Sequence, residues 1–164
     1  MQNGRKLGVS INAMINKRET AWRLLVAAHD AWSAPDLNKL ESCFTKDLEY
    51  QCNGGTSDGS PLTLVGRDEF IDFWTPLVTE FETLTSPETF HLDGDTARAQ
   101  ISVKVLHFRT GHKLTGTYRQ LLTFRSGLIC RIEEYHDAAK LAAFWQLVLH
   151  DDAGISSSLG SQSN

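Results

Sequence analysis

Between Thr83 and Asp137 the apolar residues switch from helical spacing to strict alternation, and no other feature restricts the fold so tightly. Ala97, Ala99, Ile101, Val103, Val105 and His107 alternate with Arg98, Gln100, Ser102, Lys104, Leu106 and Phe108. Alternate side chains of a strand point to opposite faces, so this stretch predicts a strand with one face on a core. The turn signals LDGD, RTGH and RSG recur at regular intervals and separate three long strands of an antiparallel meander.

The first half reads differently. Ala21, Leu25, Ala28 and Trp32 repeat at helical spacing, predicting an amphipathic helix over Arg18 to Trp32. Ser33 and Asp36 form a capping-box pattern before a short second helix carrying Leu37, Leu40 and Phe44. Leu48 to Cys52 is rich in strand formers, and NGGTSDGSP after it reads as a surface loop. Arg67 to Phe81 is again helical in period, although Pro76 removes a backbone donor and should kink or shorten that helix. Asp137 is placed to cap a final helix carrying Leu141, Phe144, Trp145, Val148 and Leu149. The expected class is α+β: a cone, with a curved, mainly antiparallel sheet wrapped around three N-terminal helices, plus a C-terminal helix.

This pattern fills residues 18–150, one domain. Residues 1–17 read as a flexible arm, with Met14 as an alternative start, and residues 151–164 as a disordered tail. The chain has 164 residues, with 16 Lys and Arg against 20 Asp and Glu and no like-charge block, which argues against a nucleic-acid partner. No segment is apolar enough to span a membrane or form a signal-peptide core. Cys43, Cys52 and Cys130 lack CxxC or Cys/His metal spacing, so a reducing, cytoplasmic setting is expected and no metal is.

The order of elements and several motifs resemble the nuclear transport factor 2-like superfamily, especially its SnoaL-like branch with ketosteroid isomerase and limonene epoxide hydrolase. The stretch TGHKLTGTYRQLLTFRSGLICRIEEYHD is similar to the family's two long strands, glycine turn and acidic-aromatic ending. SAPDLNKLESCFTKDLEY and GRDEFIDFW resemble its segment into the first strand and its third helix. The resemblance, covering about Arg18 to Leu149, implies a conical pocket for a small, largely apolar organic molecule. It further implies cofactor-independent isomerase, dehydratase or hydratase chemistry, and a homodimer through the outer sheet face bearing Thr117, Arg119, Leu121 and Thr123. The polar groups of known members are largely replaced. Ser102, Val103 and Lys104 stand near the hydrolase's Arg and Asp, and Cys52 stands near the isomerase's basic aspartate. Gln120 or Tyr118 falls at the isomerase's oxyanion-hole aspartate, and Trp32 and Ser33 replace the Tyr-Asp pair of scytalone dehydratase.

Glu134, in EEYHD, matches the acidic carboxylate of limonene epoxide hydrolase; in an apolar cavity its pKa would rise and it could exchange protons near neutrality. The bland alternative is a salt-bridged surface residue, with Glu133 on the opposite face. His136 shares strand parity with Glu134, and with His107 completes the titratable candidates; either could instead sit at a rim or strand end. Tyr50, Cys52, Phe70, Trp74, Tyr118, Gln120 and Phe124 are the candidate ligand-binding residues, although aromatic residues at this spacing also build ordinary cores. Cys52 could be a nucleophile, but the sequence shows no base for it. His29 is assigned to interhelical packing or solvent. Competing readings are a non-catalytic ligand-binding or association module, and a subunit of a larger enzyme.

Overall fold

In the computed structural model, which describes the backbone of residues 3–160 and the side chains of residues 12–153, alternation and helical period sort the chain as the sequence predicts. Helices α1 (Asn3–Ser33) and α2 (Leu37–Ser42) precede strand β1 (Phe44–Cys52). Strand β2 (Leu62–Val65), helices α3 (Arg67–Trp74) and α4 (Leu77–Glu80), and strand β3 (Phe81–Asp93) follow. Strands β4 (Thr96–His107), β5 (Lys113–Arg125) and β6 (Leu128–Tyr135) then lead to helix α5 (Ala138–Gly160).

One curved, unclosed sheet has the order β2-β1-β6-β5-β4-β3. Every pairing is antiparallel except β1 with β6, the first and last long strands of the chain. That parallel pairing sets Cys52 opposite Glu134. The buried face carries Ala97, Ala99 and Ile101 from β4, and Tyr118, Gln120 and Leu122 from β5. These pack with Leu25 and Ala28 of α1 and Phe70 of α3 into the main core. A second cluster, built on Phe81, Leu114, Phe144 and Val148, fastens α5 over β5.

The local signals explain most boundaries. Asp36 caps α2 by accepting from Lys39 N at 3.0 Å, and Asp137 accepts from Lys140 N at 3.1 Å at the start of α5. Pro76 separates α3 from α4, as its missing donor requires. The β5–β6 turn puts Ser126 at φ 53 and Gly127 at φ 78, the mirror-image backbone that matches strand twist in a two-residue hairpin. Gly66, at φ 107, turns β2 into α3.

Four readings change. The meander has four long strands, because the three turns LDGD, RTGH and RSG divide it into four, and the first, β3, already begins at Phe81, which closes the helical stripe. Strand β2 emerges after the glycine-rich loop, too short to show a period of its own. Ser33 does not form a capping box. Its hydroxyl accepts from Thr85 N at 2.9 Å and donates to Thr85 O at 3.3 Å, tying the end of α1 to the edge strand β3. Finally, α1 begins at Asn3 rather than near Arg18, and α5 runs to Gly160 through part of the segment read as a tail.

Candidate active site

Where α1, α3 and α5 face the sheet they leave a cavity of about 360 Å³. Its walls are mostly apolar. Leu25, Trp32, Phe70, Trp74, Val103 and Trp145 contribute from helices and sheet alike. Phe70 packs its ring edge-on with Tyr50 and Phe44, at centroid distances of 5.1 and 5.4 Å, so this wall is held by aromatic contacts.

Polar groups are concentrated on β1, β5 and the end of β6. Glu134, its side chain 14% exposed, accepts from Tyr50 Oη at 2.9 Å and from Gln120 Nε2 at 2.9 Å. His136 Nε2 donates to the same carboxylate at 3.1 Å. The His136 ring stacks on Tyr118 with centroids 4.2 Å apart. Asn53, the first residue after β1, fixes the main chain of His136. Its Nδ2 donates to His136 O at 3.0 Å, and His136 N donates to its Oδ1 at 2.8 Å. A second histidine closes the network from the helix side. His29 Nε2 donates to Gln120 Oε1 at 3.3 Å and Thr85 Oγ1 donates to His29 Nδ1 at 2.8 Å, so a neutral imidazole satisfies both contacts.

These contacts set the charges. Burial alone would raise the pKa of Glu134, but the His136 hydrogen bond and charge, with the Tyr50 and Gln120 donors, outweigh it and bring the pKa below the usual value. The expected upward shift is therefore overturned: three donors stabilise the carboxylate. For His136, burial opposes the charged form, yet hydrogen bonds to Cys52 and Glu134 and the negative charge of Glu134 raise its pKa to about 10. The proton thus resides on the imidazole. His29 goes the other way, because burial dominates and lowers its pKa. Burial and the nearby Glu134 push the Tyr50 and Tyr118 hydroxyls well up, so both remain protonated donors.

The sequence candidates divide. Glu134, His136, Tyr50, Cys52, Phe70, Trp74, Tyr118 and Gln120 all line the cavity. His107 does not. It is 2% exposed, its ring 4.7 Å from that of Phe81, and its Nδ1 lies 2.8 Å from Thr110 Oγ1, so it secures the turn after β4. Phe124 also lies elsewhere, beside Ala21, Leu24 and Leu92, because it stands two residues beyond Leu122 on β5, toward the β5–β6 turn and past the end of the cavity. Glu133 faces out, bound to Arg131 at 2.8 Å and to Tyr135 Oη at 2.7 Å. The sequence reading left His29 to interhelical packing or solvent and did not single out Asn53. His29 stands four residues after Leu25 and three before Trp32, so the helical stripe could have revealed it. Asn53 gave no signal, since its partner lies at the far end of the chain.

Cys52, Glu134 and His136 also bring one potential metal-ligating atom each within 4.8 Å of one another. Among the described residues no helix is long and apolar enough to cross a membrane.

A curved sheet folded over helices around an apolar cavity with a polar strand end defines the nuclear transport factor 2-like architecture. Within it, the chain belongs to the SnoaL-like domain family, whose model matches residues 25–132. The fold is similar to that of a protein of unknown function with this architecture from Burkholderia pseudomallei, at 20% identity and a TM-score of 0.67, covering 76% of this chain and 96% of that one. It is also similar to TerC co-crystallised with polyporic acid, at 19% identity and a TM-score of 0.68, covering 77% and 98%. A limonene-epoxide-hydrolase-like epoxide hydrolase of Mycobacterium tuberculosis shares 13% identity with a TM-score of 0.67, covering 83% and 98%. No curated protein matches the chain in sequence.

Proposed function

We propose that the cavity binds a small, largely apolar organic molecule bearing an oxygen substituent, and that the Glu134–His136 pair moves a proton on it without a cofactor, in isomerase, dehydratase or hydratase chemistry. The observation that carries this reading is an ion pair facing an apolar cavity. The imidazolium can donate to a carbonyl or hydroxyl oxygen, and Glu134 can take a proton from carbon. Glu134 Oε1 accepts a hydrogen bond from Gln120 and keeps a second lone pair for that purpose. Trp74 and Trp145 line the cavity, and their buried indole N–H groups have no partner among the described residues, two donors that a ligand oxygen would satisfy. The likeness to TerC, co-crystallised with polyporic acid, is in keeping with a small organic ligand.

A direct test is exchange of the α-hydrogens of 1-tetralone in heavy water, followed by NMR. Wild-type protein is expected to accelerate exchange, and E134Q and H136Q to lose about a hundredfold of that acceleration. Exchange at the buffer rate with wild-type protein, or undiminished exchange with E134Q, would refute the proton-transfer role.

A second reading has its own support: Glu134 is already paired with a neighbouring cation, as in a structural ion pair. The protein would then bind ligands or associate without catalysis, and 1-tetralone would bind without exchanging. In either case we assign residues 18–150 as the domain, a homodimer through the outer sheet face, and a reducing cytoplasmic setting for the three free thiols.

A further inference from the structure

The sequence offers Cys52 as a nucleophile lacking a base, and the fold supplies the base. Parallel pairing of β1 with β6 places Cys52 opposite Glu134, and the Asn53 clamp holds His136 just beyond. Cys52 Sγ, a ring nitrogen of His136 and a carboxylate oxygen of Glu134 lie within 4.8 Å of one another. All three side chains line the cavity. The other cysteines are differently engaged. Cys43 Sγ donates to Lys39 O and Cys130 Sγ to Thr123 O, each at 3.4 Å, and neither lines the cavity. Cys52 is therefore one member of a three-group constellation: a thiol, an imidazole beside it, and a carboxylate paired with the imidazole.

We propose that Cys52 is a nucleophile toward apolar molecules whose carbon–carbon double bond is conjugated to a carbonyl, with the Glu134 carboxylate as its base and the protonated His136 as the donor to the carbonyl oxygen. The proposal rests on the reading of the cavity as a site for apolar organic ligands and adds a substrate class to it. Such a substrate suits the site because addition needs neither water nor a leaving group, and the apolar lining accepts a neutral molecule. The Cys52 thiol passes its proton to the Glu134 carboxylate, and Sγ bonds to the β-carbon. The π electron pair moves toward the carbonyl as an enolate, whose oxygen accepts a hydrogen bond from the His136 imidazolium and whose α-carbon then takes the proton from Glu134. The elements of the thiol have added across the double bond, and nothing is oxidised or reduced. Reversal expels the thiol. Rotation about the former double bond in the adduct makes the cycle a cis–trans isomerisation.

The test is labelling of the full chain by N-phenylmaleimide, an apolar molecule of this class, at neutral pH, with each cysteine followed by peptide mass spectrometry. Cys43 and Cys130 are internal references. Cys52 is expected to react about tenfold faster than either, and H136Q to slow Cys52 by about tenfold or more while leaving the references unchanged. Prior addition of 1-tetralone, which has no alkene for the thiol to attack, should slow Cys52 alone. Cys52 reacting no faster than Cys130, or at the same rate in folded H136Q, overturns the proposal. Should H136Q fail to fold by circular dichroism, the wild-type comparison with and without 1-tetralone decides. Tetralone exchange with an unreactive Cys52 removes the nucleophile and leaves the proton-transfer reading intact; a reactive Cys52 without exchange does the reverse.

Discussion

The helix wall and the strand floor of the cavity each contain a histidine within one hydrogen-bonded network, and the two are driven to opposite charge states. On the wall, His29 is 6% exposed and meets a hydroxyl and an amide oxygen, neither charged, so the loss of solvent decides and the ring stays neutral. On the floor, His136 meets a carboxylate and a thiol, and attraction outweighs the same loss of solvent. Gln120 lies between them, its amide oxygen toward His29 and its amide nitrogen toward Glu134. Burial alone therefore predicts neither ring. What decides is whether the buried nitrogen faces a charge or a dipole, and the sheet register puts the only carboxylate of this network at one end.

The largest expected effect tests the apolar wall. Phe70 joins Trp32, Phe44, Tyr50 and Trp74 by ring contacts, and Phe70→Ala should cost about 3–5 kcal/mol in urea unfolding. That loss should be the same at neutral and alkaline pH, because no charge is involved; a pH-dependent loss would mean that wall and floor are not separable.

The floor should behave differently. His136 binds its proton more tightly in the folded chain, so its stabilisation is complete below the unfolded value of 6.5 and is lost as pH rises through about 10. His136→Gln is expected to cost about 3 kcal/mol near pH 6.5 by thermal or urea unfolding, and the difference from wild type should shrink toward pH 10. A constant difference across that window would contradict the charged floor.

The smallest effect concerns the helix end that positions the wall. Ser33→Ala removes the two hydrogen bonds to the Thr85 backbone and should cost about 1–2 kcal/mol. The imidazole of His29 should remain neutral in that variant, as read by NMR titration. If it became protonated near neutrality, the wall would depend on Ser33 for more than anchorage.

Much of this architecture is legible in the residues themselves. The alternation from Ala97 to His107 fixes which side chains face the core, since a one-residue slip would expose all of them. Asp36 and Asp137 mark helix starts through short-range hydrogen bonds that need only neighbouring residues. The parity of Glu133 and Glu134 predicts opposite faces, and the outer residue is indeed the one bound to Arg131. The failures occur where the same side chain suits two elements: Phe81 ends a helical stripe and begins a strand, and Ser33 can cap a helix or bind a neighbouring strand.

The polar site follows another rule. The chain determines by itself that it forms helices followed by an alternating sheet, because both periodicities are set by backbone geometry within a few residues. Only the tertiary structure decides that β1 lies parallel to β6, bringing Tyr50, Cys52 and Asn53 from one end of the domain to Glu134 and His136 at the other. It also decides that Glu134 is ionised rather than protonated. Hydrogen bonds and Coulomb forces act over a few ångströms whatever the sequence separation, so the charge on this site became defined only when strands distant in sequence were packed side by side.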